Sequence, residues 1–511
     1  MPEKTRTYNS IVNSLYGIVA SIITVALNFV VRVVLVRELG EEINGLHNLF
    51  QSITSVMILM EMGISAAMVI HLYEPIKKNN VELICGIMGF YKRIYTGISI
   101  AFTAISIIVA LFILDSLVTT SIPIGTVRLY FVVYTISFTV NYLTYYKRSI
   151  LYAEQKNRVA VVFTTLSEIV LRSLQILLLL VYHNYLLFVI LTIIEKATSN
   201  ILCAYYVNKR HPYLRSIKKT NLRKEIKVAI FRTIKPLMVN QTANTIQLAS
   251  RSILISILLG NVAIVGYYGN YQLLTNIAQM VYAQFGGAFT SSMGNFAVDN
   301  NKEMICKVYR KSAFIMNWIA CIGCALFIAC ADDFIYLVFG ANFVLDHISV
   351  FILSINLGIY LLNIPMISLQ NAMGLHKYDA SNMVIQAALS VALGYLFGKF
   401  FGMPGIFLGL LIPLIIFTLI MKGIIIGGKS LGMSPLVYIS FIVHEVMKIV
   451  IVLLICNLIC SLVGNDPSFG ILIIKMFVGL TVSLFIPAVM SFRKVEFKET
   501  IYLINKIKKG I

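Results

Sequence analysis

Two arginines lie inside strongly apolar runs of this 511-residue chain: Arg32 in "NFVVRVVLVRELG" and Arg251 in "QLASRSILISILLG". A guanidinium is a permanent cation with five N–H donors in a planar fork, suited to carboxylate or phosphate. Each arginine closes a polar stripe at helical spacing. Asn13, Gly17, Ser21, Thr24, Asn28 and Arg32 form one, and Asn240, Asn244, Gln247 and Arg251 form the other. Gln272, Asn276 and Gln279 repeat the rhythm, as do Asn356, Tyr360 and Asn363. Such stripes offer charge-assisted hydrogen bonds to phosphate and neutral ones to sugar hydroxyls. Facing lipid they would be costly, since one arginine at a helix centre costs about 3 kcal/mol. The stripes are therefore expected to face inward, onto a wet cavity, with Arg32, Arg251, Asn28, Gln247, Asn240, Asn244, Gln272, Asn276 and Asn363 lining it.

The buried acids suggest a second chemistry. Glu195 lies deep in an apolar run beside Lys196, and Glu61 lies in "MEMGISAA". Both are candidates for binding a coupling proton or sodium ion, and both could instead be counter-ions to Arg32 or Arg172. Glu168 with Arg172, and Glu445 with Lys448, are spaced to neutralise one another within a helix. Lys475, near a span end, is expected to snorkel to the interface. Cys321 and Cys324 form a C-x-x-C inside "WIACIGCALFIACA", where small packing residues rather than metal ligands are expected. The seven histidines are scattered, and His444 lies within a span. The sequence holds no nucleotide-binding loop, catalytic-triad pattern or metal-ligand spacing.

The elements that carry these residues must be membrane helices. Hydrophobic residues make up 59% of the chain and charged ones 13%, too apolar for a soluble protein of this length. Apolar runs of about 20 residues recur, which reads as a polytopic all-α protein. Short alternating segments, the mark of a membrane barrel, are absent. The expected spans are 11–36, 44–71, 94–114, 128–146, 159–182, 185–207, 229–259, 264–294, 312–331, 347–372, 381–401, 403–426, 436–463 and 469–491. The basic N-terminus "MPEKTRTYNS" precedes an apolar segment too long for a cleaved signal, so it reads as the start of a retained span.

Charge placement orients these fourteen spans. With both termini cytoplasmic, most of the 42 Lys and Arg fall in inner loops and tails. Arg37, Arg128 and Lys399 fall on the outer side, where Glu41, Glu42, Asp115, Asp332, Asp333, Asp346 and Asp466 also lie. The net charge of +20 is thus a topology signal, and nucleic acid is not an expected partner. The basic loop 208–227 after span 6 reads as an anchor on anionic headgroups. It divides an N-lobe (1–208) from a C-lobe (229–427) through a linker (209–228), with spans 13 and 14 and a basic tail in 428–511.

The two lobes repeat. At one constant shift Arg32 aligns with Arg251, Asn28 with Gln247 and Ser21 with Asn240. With one or two inserted residues Gly40 aligns with Gly260 and Gly45 with Gly266. An even number of spans per half makes the repeat parallel, with a pseudo-twofold along the membrane normal. Arg32 is eight residues before Gly40, about 12 Å at 1.5 Å per residue, well inside a core about 30 Å thick.

"RELGEEINGLHNLFQSITSVMILMEMGISAAMVIHLYEPI" (37–76) resembles the opening of the bacterial polysaccharide transporter family, the O-antigen and capsule flippases of the MATE-like superfamily. "LLGNVAIVGYYGNYQLL" (258–274) resembles the start of their second lobe. "SILYAEQKNRVAVV" (149–162) and "LQNAMGLHKYDASN" (369–382) resemble their turns after spans 4 and 10. The resemblance implies two six-helix lobes around a central cavity, plus two extra C-terminal helices, working by alternating access in the bacterial cytoplasmic membrane. The implied cargo is a polyprenyl-diphosphate-linked oligosaccharide passed from inner to outer leaflet, with membrane lipids and polysaccharide polymerase machinery as partners. No cofactor is expected; protons or sodium are candidate coupling ions, and moving a diphosphate outward across an inside-negative membrane would let the potential itself contribute. Many relatives carry an acidic residue late in span 7, where this chain has Arg251. Competing readings are a lipid II exporter, a MATE-type small-molecule exporter, which would favour cavity carboxylates, and a membrane glycan polymerase or acyltransferase, which would need acids or histidines on a sizeable outer loop.

Overall fold

A computed structural model of the protein describes residues 3–61, 64–154, 156–214, 222–298, 302–464, 467–494 and 496–499. Among these, the side chains of residues 3–15 and of several positions within 224–298 lie outside the description, Asn13, Asn240 and Asn244 with them. No strand occurs among the described residues.

The helices begin where the sequence supplies N-caps. Asn80 accepts from Leu83 N to start α3 (Val81–Ile108), and Asn184 from Leu186 N and Leu187 N to start α7 (Tyr185–Arg210). Asp346 starts α11 (His347–Leu362), Ser434 α15 (Pro435–Val463) and Ser468 α16 (Phe469–Ser491). The others are α1 (Glu3–Met57), α2 (Ile64–Lys77), α4 (Ile124–Tyr145), α5 (Arg148–Ala153) and α6 (Asn157–Tyr182). There follow α8 (Lys224–Leu259), α9 (Val262–Val298), α10 (Lys302–Phe339), α12 (Ile364–Met373), α13 (His376–Pro413) and α14 (Lys422–Ser430).

A helix lies at every expected span. Nine helical stretches among the described residues are long and apolar enough to cross a membrane. The nine differ from the fourteen for physical reasons. Expected spans 11 and 12 run on as one stretch, His376–Ser430, bent at Gly402, whose φ of 63° needs a glycine. Span 1 likewise continues into span 2 through Gly40, at φ 81°. Spans 4, 7 and 8 are helices of 22, 36 and 37 residues and are not among the nine.

The chain divides into two compact units, Met1–Thr245 with Gly260–Gly266, and Ile246–Leu259 with Tyr267–Ile511. In the first, α1 packs on α6, α6 on α7, α7 on α4 and α4 on α3. The core there is Leu46, Leu49, Phe50, Phe102, Phe131 and Val189. Gly45 and Gly266, equated by the repeat, meet in this unit. A Cβ on Gly45 would stand 2.0 Å from Val262 O, and one on Gly266 would stand 2.9 Å from Gly45 N. Only glycine permits that approach. In the second unit α10 is central, packed by α11, α15 and α16. Cys321 and Cys324 are buried in it as free thiols, with Cys324 Sγ donating to Ser354 O at 3.2 Å. They are packing residues.

Candidate functional site: buried cations in two polar interiors

In the first unit three helices present polar stripes to one another. α1 contributes Thr24, Asn28 and Arg32. α6 contributes Glu168, Arg172 and Gln175 at spacings of four and three, one face of a helix. α7 contributes Tyr185, Thr192 and Glu195. Arg32 is 7% exposed, and its electrostatic neighbours include Tyr185 and His47. His47 lies beyond the Gly40 bend, its Nδ1 3.0 Å from the Tyr185 hydroxyl and its ring edge-on to Tyr134 and Phe188. A buried cation exerts a field far stronger than it would in water. Asn28 is half-buried a turn below.

The acids are accounted for differently than spacing suggests. Glu168 accepts a hydrogen bond from Thr24 Oγ1 at 2.6 Å. Arg172 instead reaches across to Glu195, Nε to Oε2 at 3.5 Å, and Lys196 holds the other oxygen at 2.9 Å. Tertiary packing of α6 on α7 overrides the i,i+4 pairing expected within α6. Gln175 completes this interface, donating to Phe188 O at 3.0 Å and Thr192 Oγ1 at 2.8 Å. Glu195 therefore lies between two cations. Glu61 is placed otherwise, where α1 has ended and α2 has yet to begin. Tyr95 donates to it at 2.9 Å, the Tyr142 and Tyr145 hydroxyls lie in its field, and it takes no part in the ion pairs among the described residues.

The second unit holds its arginine in a neutral frame. Arg251 Nη2 donates to Asn356 Oδ1 at 3.0 Å. Gln247, one turn earlier and buried, accepts from Gln386 Nε2 at 2.9 Å, and Gln386 in turn accepts from Thr418 Oγ1 at 2.6 Å. Elsewhere in this unit Lys422 meets Asp379 at 3.0 Å, both side chains buried. Asp379 also accepts from Asn382 and Gln370, at 2.8 and 3.3 Å. Asn363 is buried with its Oδ1 lacking a hydrogen bond, Gln272 is half-buried, and Asn276 is exposed. Asn240 and Asn244 lie outside the described side chains.

Sequence reasoning brought Arg32 and Glu195 to one bundle, and Arg251 and Gln247 to the other. It passed over His47, Tyr185, Gln386, Thr418 and the Asp379–Lys422 pair. The i, i+3, i+4 and i+7 polar positions on α6 and α7 were the available signal. Lys475 does not snorkel. It pairs with Asp333 at 2.8 Å, because α16 packs along α10, which presents a carboxylate at that depth. Glu445 and Lys448 do pair, at 2.7 Å. Among the described residues no cluster of histidine, cysteine or acid could hold a metal.

A family model of polysaccharide biosynthesis proteins matches residues 10–293, more than half of the chain. The chain belongs to that family. No curated protein matches it. Its fold is similar to that of a multidrug resistance MATE family transporter of the MOP superfamily in an inward-facing conformation. The TM-score is 0.66 at 15% identity, over 85% of this chain and 98% of that one. The lipid II flippase MurJ, inward closed, also scores 0.66 at 15% identity, over 94% of this chain and 99% of its own. A mutant of the Vibrio cholerae MATE transporter VcmN scores 0.61 at 15%, over 85% and 99%. The chain is therefore a polytopic α-helical membrane protein of polysaccharide biosynthesis with the fold of these transporters and flippases. The fold is that of transporters and flippases.

Proposed function

We propose that the protein flips a polyprenyl-diphosphate-linked oligosaccharide from the inner to the outer leaflet of a bacterial cytoplasmic membrane, with both termini cytoplasmic. A diphosphate carrying a sugar head cannot cross hydrocarbon unaided. It needs a cationic, amide-rich path for the head while the polyprenyl tail stays in lipid. The observation that carries the reading is Arg32, a permanent cation buried deep in an apolar helix, with Asn28 below it and Tyr185 and His47 beside it. Family membership in polysaccharide biosynthesis supports the sugar, and Arg251 with Gln247 and Asn356 supplies a second set of donors.

Coupling is assigned to Glu61 rather than Glu195. Glu195 is neutralised by two cations and has little reason to bind a third. Glu61 is held by a tyrosine hydroxyl and sits at a break between helices, where gaining a proton alters both charge and hydrogen bonding.

The test is flipping in proteoliposomes, scored by exposure of a lectin epitope, for wild type, Arg32→Ala, Arg251→Ala and the double variant. Flipping by wild type that is lost in the variants with folding intact supports the proposal; flipping unaffected by both substitutions keeps the flippase and removes the arginines from the cargo path; no flipping by wild type sinks it. The second reading, export of lipid II, is favoured by the full-length likeness to MurJ. Lipid II loaded in place of the oligosaccharide separates the two.

A further inference from the structure

A cavity of about 210 Å³ opens in the second unit at the basic end of α10, lined by Arg310, Phe314, Phe441, Glu445, Lys494 and Glu496. It lies far in sequence from both arginine stripes. Its floor is Glu445, which is 1% exposed and holds two ammonium groups: Lys448 at 2.7 Å from α15 itself and Lys494 at 3.0 Å from the segment after α16. One carboxylate cannot neutralise two ammoniums. With Arg310 at the rim and Glu496 in the wall, three cations stand against two carboxylates, so a single positive charge is left over. Lys448 is buried and Lys494 is partly buried, so part of this positive field is screened from water and attracts an anion.

The walls are apolar. Phe314 lies under Lys448, 5.8 Å from the ring centroid, and Trp318 stacks on Phe497 at 6.0 Å. His444 Nε2 and Trp318 Nε1 are buried without a hydrogen-bond partner, so unmet polar groups stand beside the unmet charge. His444 lies in the field of Lys494, Lys448 and Glu445. Charge placement assigns this end to the cytoplasmic side, at headgroup depth.

We infer that this cavity binds a singly charged phosphate group, with the chain of an inner-leaflet anionic phospholipid lying along Phe314 and Phe441. The phosphate takes donors from Arg310 and Lys494 and balances the surplus cation. The site holds a resident lipid between α10 and the appended helices α15 and α16, and it is independent of the transported cargo.

Delipidated full-length protein is examined by native mass spectrometry and thermal unfolding with three probes: phosphatidylglycerol, phosphatidylcholine of the same chains, and inorganic phosphate. The expected result is one tightly held phosphatidylglycerol, a raised unfolding midpoint, and binding weakened about tenfold or more by Arg310→Gln or Lys494→Gln. Lys78→Gln, an exposed lysine of the first unit, should leave it unchanged. Arg310 is exposed, so its substitution does not threaten folding. Stabilisation by inorganic phosphate as well supports a site for the phosphate group itself. Stabilisation by phosphatidylglycerol alone supports one that also needs the chain. Equal binding of phosphatidylcholine, or unchanged binding in both variants, overturns the inference.

Discussion

The two units carry matched arginines in unlike surroundings. Arg32 is buried with Tyr185 and His47 as its electrostatic neighbours, and the charges nearby on α6 and α7 are themselves paired. Arg251 is more exposed and donates to the neutral oxygen of Asn356, one helical turn from the hydrogen-bonded amides Gln247 and Gln386. A repeat has thus kept the cation and changed the medium around it. The low-dielectric setting magnifies Arg32, whereas Arg251 already spends a donor on a fixed partner.

The largest expected effect follows from that contrast. Arg32→Ala should lower the flipping rate about 100-fold, the equivalent of roughly 3 kcal/mol for charge-assisted hydrogen bonds to a phosphate. Arg251→Ala should lower it about tenfold. Rates are read from the lectin-protection time course at equal protein incorporation. Equal losses at the two positions would erase the distinction between the units, and a larger loss at Arg251 would reverse it.

A second comparison concerns the acids. Asp379 and Lys422 are both almost wholly buried, so Asp379→Asn strands an ammonium in the core, at a cost of about 3 kcal/mol or more. Glu195→Gln strands Arg172 and Lys196, whose side chains are 17% and 36% exposed, and water can recover part of that loss. About 1 kcal/mol is expected. Thermal unfolding of the two variants in one detergent decides it. A Glu195 variant as unstable as the Asp379 variant would mean that solvent gives Arg172 and Lys196 no relief.

What the sequence made legible follows the same physics. Apolar runs and glycine bends located the helices, because lipid imposes length and hydropathy on every span. The stripe ending at Arg32 was readable because helical period alone puts Thr24, Asn28 and Arg32 on one face. Partners on other helices were not. Glu168 and Arg172 have ideal spacing to pair, yet Arg172 crosses to Glu195. Asp379 and Lys422 sit at the edges of their spans, where charges resemble ordinary loop residues. Only the packing of α13 against the turn after it brings them together.

Glu61 and Glu195 supply a smaller effect, visible in pH response rather than in rate. Glu61→Gln should keep stability within about 1 kcal/mol, since a neutral amide still accepts from Tyr95. It should also remove the few-fold stimulation of flipping by a pH gradient. Glu195→Gln should keep that stimulation. Measuring flipping with and without an imposed gradient in the two variants tests the assignment. A gradient response that survives Glu61→Gln and vanishes with Glu195→Gln would exchange their roles.

The smallest effect lies at the water-reached end of the first unit, in the turn between α5 and α6. Burial raises the Glu154 pKa, but hydrogen bonds from His211 and Lys156 and their charges outweigh it and hold the carboxyl at about 2. Lys156 lies at 2.6 Å, His211 at 2.9 Å and Arg210 at 3.6 Å, so the turn is tied to the end of α7. A carboxyl held below its ordinary 4.5 contributes stability that is complete above about pH 4.5 and fades as pH falls towards 2. Because solvent reaches the cluster, its worth is about 1 kcal/mol. Glu154→Gln should therefore lower the unfolding midpoint at pH 7 by about 2 °C and flatten its decline between pH 4.5 and 2. If the Glu154 variant and wild type lose stability in parallel over that range, the cluster holds the turn by packing rather than by charge.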